Sequence, residues 1–143
     1  MKRISILFVS VMTLGLTLTS CSGDDDSVGS IEGKWNFSKM KYTVNGVTSP
    51  EEDYGDNELG CNKDYVEFLE SGTYTEGDYS GSECELYSES GTWTQSGNQV
   101  SSIIDGELES FQILSVSETT LKVKDTEEFE EGTATIIITL TKA

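Results

Sequence analysis

The 143-residue sequence contains no histidine, and this absence excludes several kinds of chemistry. The Ser-His and Cys-His pairs that activate nucleophiles cannot form, and zinc would lose its usual imidazole ligands. Paired carboxylates such as Glu67 and Glu76 can cleave glycosides, but 26 acidic residues in a short chain produce such pairs without function. We therefore expect no catalytic residue, no cofactor and no metal, in a protein that is not an enzyme.

Positive charge is also scarce. The chain has 26 acids against nine lysines and arginines, and Arg3 is its only arginine. A formal charge of −17 repels nucleic acids and anionic lipid surfaces, so neither is expected as a partner. The acidic segment 51–58 could offer oxygens to Ca²⁺, but it lacks the spacing of a calcium loop, and a solvated loop is the simpler interpretation.

The N-terminus combines the features of a secretory signal. An apolar run of 15 residues from Ile4 to Leu18 follows Lys2 and Arg3. A membrane-spanning helix needs ~20 apolar residues, so a permanent span is not expected. Leu18-Thr19-Ser20-Cys21 resembles a bacterial lipobox, which implies removal of residues 1–20 and acylation of Cys21. The alternative is an ordinary secretory signal in which Cys21 is incidental.

Residues 21–30 are small and polar, and include Asp24-Asp25-Asp26. Such a composition predicts a flexible, acidic tether. The acidic triplet after the cysteine also resembles a surface-export signal of certain Gram-negative lipoproteins, although a plain spacer explains it equally well. We predict attachment to the outer membrane by the lipid anchor, at the cell surface or on the periplasmic face.

Two cysteines remain once Cys21 carries lipid. Cys61 and Cys84 would then be paired in an oxidising compartment, where a disulfide is the default. Such a bond would stabilise the fold by roughly 3 kcal/mol, mainly through the unfolded state.

Residues 31–143 are expected to form a single all-β domain. Alternating apolar and polar positions are interrupted by turn signals about every ten residues. About eight antiparallel strands joined by tight turns favour an up-and-down barrel, which leaves no exposed sheet edge. The first strand is ambiguous, because Trp35 and Phe37 alternate out of phase with Met40, Tyr42 and Val44. A bulge near Ser38 or burial on both faces would each explain it.

Several short motifs in order carry a family resemblance. Gly33-Lys34-Trp35 matches the Gly-x-Trp that begins the first lipocalin strand, and later pieces include Cys61-Asn62-Lys63-Asp64 and Glu89-Ser90-Gly91-Thr92-Trp93. Together they resemble the small bacterial lipocalin-like domain found on lipoproteins. One departure is that vertebrate lipocalins often place a late arginine against the tryptophan, and this chain has none there.

A barrel of this kind holds one small ligand or is filled by side chains. Trp35 is predicted to close the barrel floor, and five aromatic residues are candidates for lining the lumen: Tyr42, Phe68, Tyr74, Trp93 and Phe111. Because carriers of fatty acids commonly use a buried cation, a neutral or cationic apolar ligand suits this chain better than an anion. The alternative is a filled barrel that presents acidic loops to a protein partner, whose identity the sequence does not indicate.

Overall fold

The computed structural model describes residues 28–129 and 132–143, which form ten β-strands. The signal peptide, the acylation site at Cys21 and most of the tether lie outside these residues. No helix within them is long and apolar enough to cross a membrane. The strands are β1 Gly33–Val44, β2 Val47–Thr48, β3 Glu52–Asp53, β4 Tyr65–Phe68, β5 Thr73–Ser80, β6 Glu85–Ser96, β7 Gln99–Ile104, β8 Glu107–Val116, β9 Thr120–Phe129 and β10 Gly132–Lys142.

Eight of the strands close into a barrel. The order β1-β4-β5-β6-β7-β8-β9-β10 returns to β1, and every pairing is antiparallel. This confirms the predicted all-β, eight-stranded up-and-down barrel. The short strands β2 and β3 pair with β1. Strand β3 lies within the acidic segment 51–58, where the sequence predicted only a loop.

A bulge in β1 resolves the ambiguity of the first strand. The register against β10 shifts between Phe37 and Lys39, so Ser38 is an extra residue that reverses the alternation. Phe37 stands opposite Leu140, and Met40 stands opposite Ile138. Both halves of β1 therefore turn their apolar side chains towards the inside of the barrel.

The barrel has a packed end and an open end. The closed end is the one where β1 begins, and the mouth is the one with the turns Asn45-Gly46 and Asp105-Gly106. Both turns contain residues with positive φ, as their Asn-Gly and Asp-Gly sequences predict. The most buried apolar side chains form one cluster in the half of the barrel nearer the closed end: Ile31, Trp35, Val66, Phe68, Tyr74, Val100, Ile113, Leu121, Val123 and Leu140.

A disulfide links Cys61, in the segment before β4, to Cys84, in the turn between β5 and β6. The two Cα atoms are 5.3 Å apart, which confirms the predicted pairing. The bond holds the segment before β4 against the edge of β5.

Candidate ligand-binding lumen

Cross-strand pairs identify the side chains that face the lumen, because residues directly opposite each other share a face of the sheet. Val66 stands opposite the buried Trp35, and Glu76 stands opposite Val66, so Glu76 faces inwards. Glu67 stands opposite Lys34 and faces outwards. The two carboxylates considered from the sequence as a hydrolytic pair therefore lie on opposite faces of the wall.

Phe68 is the centre of an aromatic cluster in the lower lumen. Its ring centroid lies 5.2 Å from those of Tyr74 and Trp93, and 6.2 Å from that of Phe111. The Trp93 indole donates a hydrogen bond to the Leu69 carbonyl at 2.9 Å. Four of the five predicted lining residues thus come together, but Phe68 and Tyr74 are 1% and 5% exposed, so they fill the lower half of the barrel.

The fifth candidate, Tyr42, lies apart from this cluster. It stands opposite Ile136 near the mouth and is 46% exposed. Trp35 lies at the closed end, 1% exposed, and its indole donates to the Ile31 carbonyl at 2.7 Å. Its position is that of a floor beneath the aromatic cluster.

The upper lumen has one apolar wall. It consists of inward pairs from β1 and β10, in which Met40 faces Ile138, Tyr42 faces Ile136 and Val44 faces Ala134. Most of these side chains remain partly exposed, so the packed aromatic cluster does not cover them. This wall can therefore receive an apolar group.

Carboxylates predominate on the other walls of the upper lumen, where Ile104 also faces inwards opposite Glu107. Glu76 pairs with Glu89, and Glu109 pairs with the buried Ser102. On β9, Asp125 stands opposite Ile136. Across the residues that the structure describes, the register places no lysine inside this upper half, since Lys122 and Lys124 alternate with the buried Leu121 and Val123 and so face outwards.

Two of these carboxylates interact across the lumen. Burial raises the pKa of Glu76 to about 7, and the negative charge of Glu109 adds to the shift although two strands separate β5 from β8. The Tyr74 hydroxyl donates a hydrogen bond to Glu76 Oε2 at 3.4 Å, and this bond partly offsets the increase in the pKa of Glu76. Burial, then the charges of Asp125 and Glu107, raises the pKa of Glu109 as well. Among the described residues, neither Glu76 nor Glu109 forms an ion pair, so their negative charges are not neutralised by a lysine.

Tyr54, a residue that the sequence did not indicate as functional, closes a gap in the barrel wall. Above β4, the edge of β1 is bridged by the segment after β3, where the Tyr54 amide donates to the Ser38 carbonyl at 3.0 Å. The Tyr54 ring stacks on Phe37 with centroids 4.6 Å apart. Burial raises the pKa of its hydroxyl, which therefore stays neutral. No motif in the acidic loop indicated this contact.

The acidic loop contains an ion pair. Asp53 lies 2.7 Å from the Lys39 ammonium, an exposed contact that contributes little to stability. Among residues 28–129 and 132–143, no three acidic, cysteine or histidine side chains converge as metal ligands would.

Comparison with known proteins agrees with this geometry. The family model of the lipocalin-like domain matches residues 31–123. A lipocalin-like protein from Bacteroides uniformis superposes with a TM-score of 0.54 at 15% identity, covering 80% of this chain and all of its own. An uncharacterised protein from Bacteroides eggerthii gives 0.52 at 8% identity, covering 78% and 98%.

A complex of bovine odorant-binding protein with a selenium-containing odorant is more distant, with a TM-score of 0.44 at 14% identity, covering 90% of this chain and 78% of its own. No curated protein matches the chain. The family model spans more than half of the sequence, and the solved structures above a TM-score of 0.5 share the fold. The chain belongs to the family of lipocalin-like domains.

Proposed function

We propose that this protein is a lipid-anchored, extracytoplasmic binding module that holds a small apolar cation in the upper lumen of its barrel. The observation that carries the proposal is the division of that lumen into an apolar wall on β1 and β10 and carboxylates on β5, β6 and β8. A ligand with a hydrocarbon body and an amine head matches both surfaces.

The charge of the lumen selects against anions. A carboxylate ligand would have to lose water beside Glu76 and Glu109 without gaining a cationic partner. An amine would instead separate these two like charges and form charge-assisted hydrogen bonds with them. Its apolar part would be stabilised by about 25 cal/mol for each Å² buried against Ile136 and Ile138.

The lipid anchor is supported by the charged start, the apolar run and the lipobox-like Leu18–Cys21 of the sequence. We propose that acylated Cys21 attaches the domain to the outer membrane. Metabolic labelling with radioactive palmitate tests this in a Gram-negative host. The wild-type protein should incorporate label, and Cys21→Ala should not; an unlabelled wild-type protein would overturn the anchor.

Three probes with one aromatic skeleton test the ligand class. We expect the full chain to bind 2-phenylethylamine more tightly than 2-phenylethanol, and 3-phenylpropionate least, as measured by isothermal titration calorimetry at pH 8. Glu76→Gln should weaken the binding of 2-phenylethylamine about tenfold, because one charged hydrogen bond is lost. The affinity for 2-phenylethanol should stay unchanged. Glu67→Gln is the matched control, since it removes a carboxylate from the outer face of the neighbouring strand.

The opposite order of affinities would contradict the proposal, as would tight binding of palmitate. If none of the three probes binds, the cation-carrier proposal is wrong. The result would then favour the second hypothesis, a filled barrel whose acidic loops contact a protein partner. Native mass spectrometry of protein from its own host would identify a bound molecule directly.

A further inference from the structure

A second recess lies outside the barrel, on the outer face of β1, β4 and β5. Its volume is about 480 Å³, and it is separated from the lumen by the sheet itself. Its lining mixes polar and apolar surface and carries two lysines, in contrast to the acidic lumen. Two lysines, two asparagines and two tyrosines contribute to it: Lys34, Asn36, Asn62, Lys63, Tyr65 and Tyr79. We call this recess the outer groove.

One side of the outer groove is organised around Tyr65. Gly77 stands opposite Tyr65 on β5, and a Cβ at Gly77 would collide with the Tyr65 ring, so the ring lies flat on the sheet. The Lys34 ammonium lies 3.4 Å from the centroid of that ring. The cation–π contact holds the Lys34 charge at the groove, and the Tyr79 ring borders Tyr65 with centroids 6.4 Å apart.

The other side is the segment before β4, which the disulfide holds in place. Cys61 lines the groove and is bonded to Cys84. Two residues later, the Lys63 ammonium donates to Ser38 Oγ at 3.2 Å. The two ammonium groups are therefore positioned from different elements before any ligand arrives, which lowers the entropic cost of binding.

The charges of the two lysines in the groove are not neutralised by an ion pair among the described residues. Neither Lys34 nor Lys63 forms an ion pair within the described parts of the chain, although acids greatly outnumber lysines. Glu67 stands opposite Lys34 on β4 but makes no ion pair with it. The side-chain amides of Asn36 and Asn62 border the groove and make no hydrogen bond to another described residue.

We propose that the outer groove binds an acidic monosaccharide of the uronic acid type. The ammonium groups of Lys34 and Lys63 receive the carboxylate, and each asparagine amide offers both a donor and an acceptor to ring hydroxyls. The two ammonium groups favour an anionic ligand, the tyrosine rings offer an apolar surface to the face of a sugar ring, and the volume of about 480 Å³ exceeds the need of a simple anion. This inference is independent of the lumen, because it uses the opposite face of the sheet.

Nuclear magnetic resonance of the isotopically labelled full chain tests the inference. Titration with D-glucuronate should shift the side-chain amide signals of Asn36 and Asn62, whereas D-glucose at the same concentration should not. Lys63→Met and Lys34→Met should each weaken glucuronate binding about fivefold, the effect of losing one solvent-accessible charge contact. Lys63→Arg should retain binding.

Lys122→Met is the control, because Lys122 lies on the outer face of β9 and is not part of the groove. Equal binding of glucose would show that charge plays no part and would overturn the proposal. Equal shifts with sodium acetate would reduce the site to a simple anion contact and overturn the sugar assignment. The absence of shifts with glucuronate, or an equal loss in Lys122→Met, would also overturn it.

Discussion

The ammonium of Lys142 lies over the ring of Trp35, 4.1 Å from its centroid, and joins the last strand of the barrel to the first. It also donates to the Glu32 carbonyl at 2.6 Å. Gly33 has a φ of 111°, and a Cβ there would collide with the Lys142 ammonium. Gly33 thus leaves space for the Lys142 ammonium over the Trp35 ring. Lys142 takes the position against the tryptophan where vertebrate lipocalins often have an arginine.

Lys142→Met should lower the free energy of unfolding by about 1 kcal/mol, since it removes a cation–π contact and a hydrogen bond from a charged donor. Lys142→Arg should retain most of the stability. Urea denaturation followed by tryptophan fluorescence measures the change, with Lys122→Met as the control on the outside of β9. Equal stabilities of Lys142→Met and the wild type would show that the contact is incidental.

Stability should depend on pH through Glu76. Its pKa rises from 4.5 to about 7 on folding, so the folded state binds the proton more tightly than the unfolded state. The contribution of Glu76 to the free energy of unfolding is therefore highest below about pH 4.5, and it falls as the pH rises through about 7. Glu76→Gln should be more stable than wild type at pH 8, on the order of 1–2 kcal/mol after solvent screening.

The two proteins should have equal stability near pH 4, where Glu76 is protonated in both states. Urea denaturation at several pH values measures the difference, and Glu67→Gln on the outer face should keep the wild-type pH dependence. Parallel curves for wild type and Glu76→Gln would show that Glu76 is well solvated.

The disulfide should contribute substantially to stability. It closes a loop between Cys61 and Cys84 with a sequence separation of 23. The double variant Cys61→Ala, Cys84→Ala should lose roughly 3 kcal/mol, because the unfolded chain regains the freedom of that loop. Urea denaturation with and without a reductant tests this: the reductant should destabilise the wild type and leave the double variant unchanged. A wild type insensitive to complete reduction would contradict the expectation.

The alternation of apolar residues was sufficient to predict the barrel, but not the position of every side chain. The prediction that Trp35 and Phe37 share one face is confirmed. The alternation alone could not distinguish a bulge at Ser38 from burial of both faces of the strand. A bulge depends on the partner strand, here β10, which stands opposite with Leu140 and Ile138. Register of this kind is a property of two strands together.

The candidate lumen was predictable only in part. The rings of Phe68, Tyr74, Trp93 and Phe111 meet inside the barrel, as their inward positions on four strands allow, but a role in ligand binding stays a prediction. Glu76 was considered only as half of a hydrolytic pair with Glu67, because one acid among 26 shows no sign of facing the lumen until its strand partners are known. Tyr54 was missed because its stacking on Phe37 depends on the path of an irregular loop.

The chain enters the domain at the closed end, where Val28 packs against the core and borders a recess beside Trp93. Six residues lie between Cys21 and Val28, and the seven Cα–Cα steps of this stretch can reach at most about 25 Å. With the proposed acyl anchor, the packed end would lie nearer the bilayer than the carboxylate-lined opening, which would face the surrounding water. Cargo would then be collected from the aqueous phase, and a molecule dissolved in the supporting leaflet would have to leave it first.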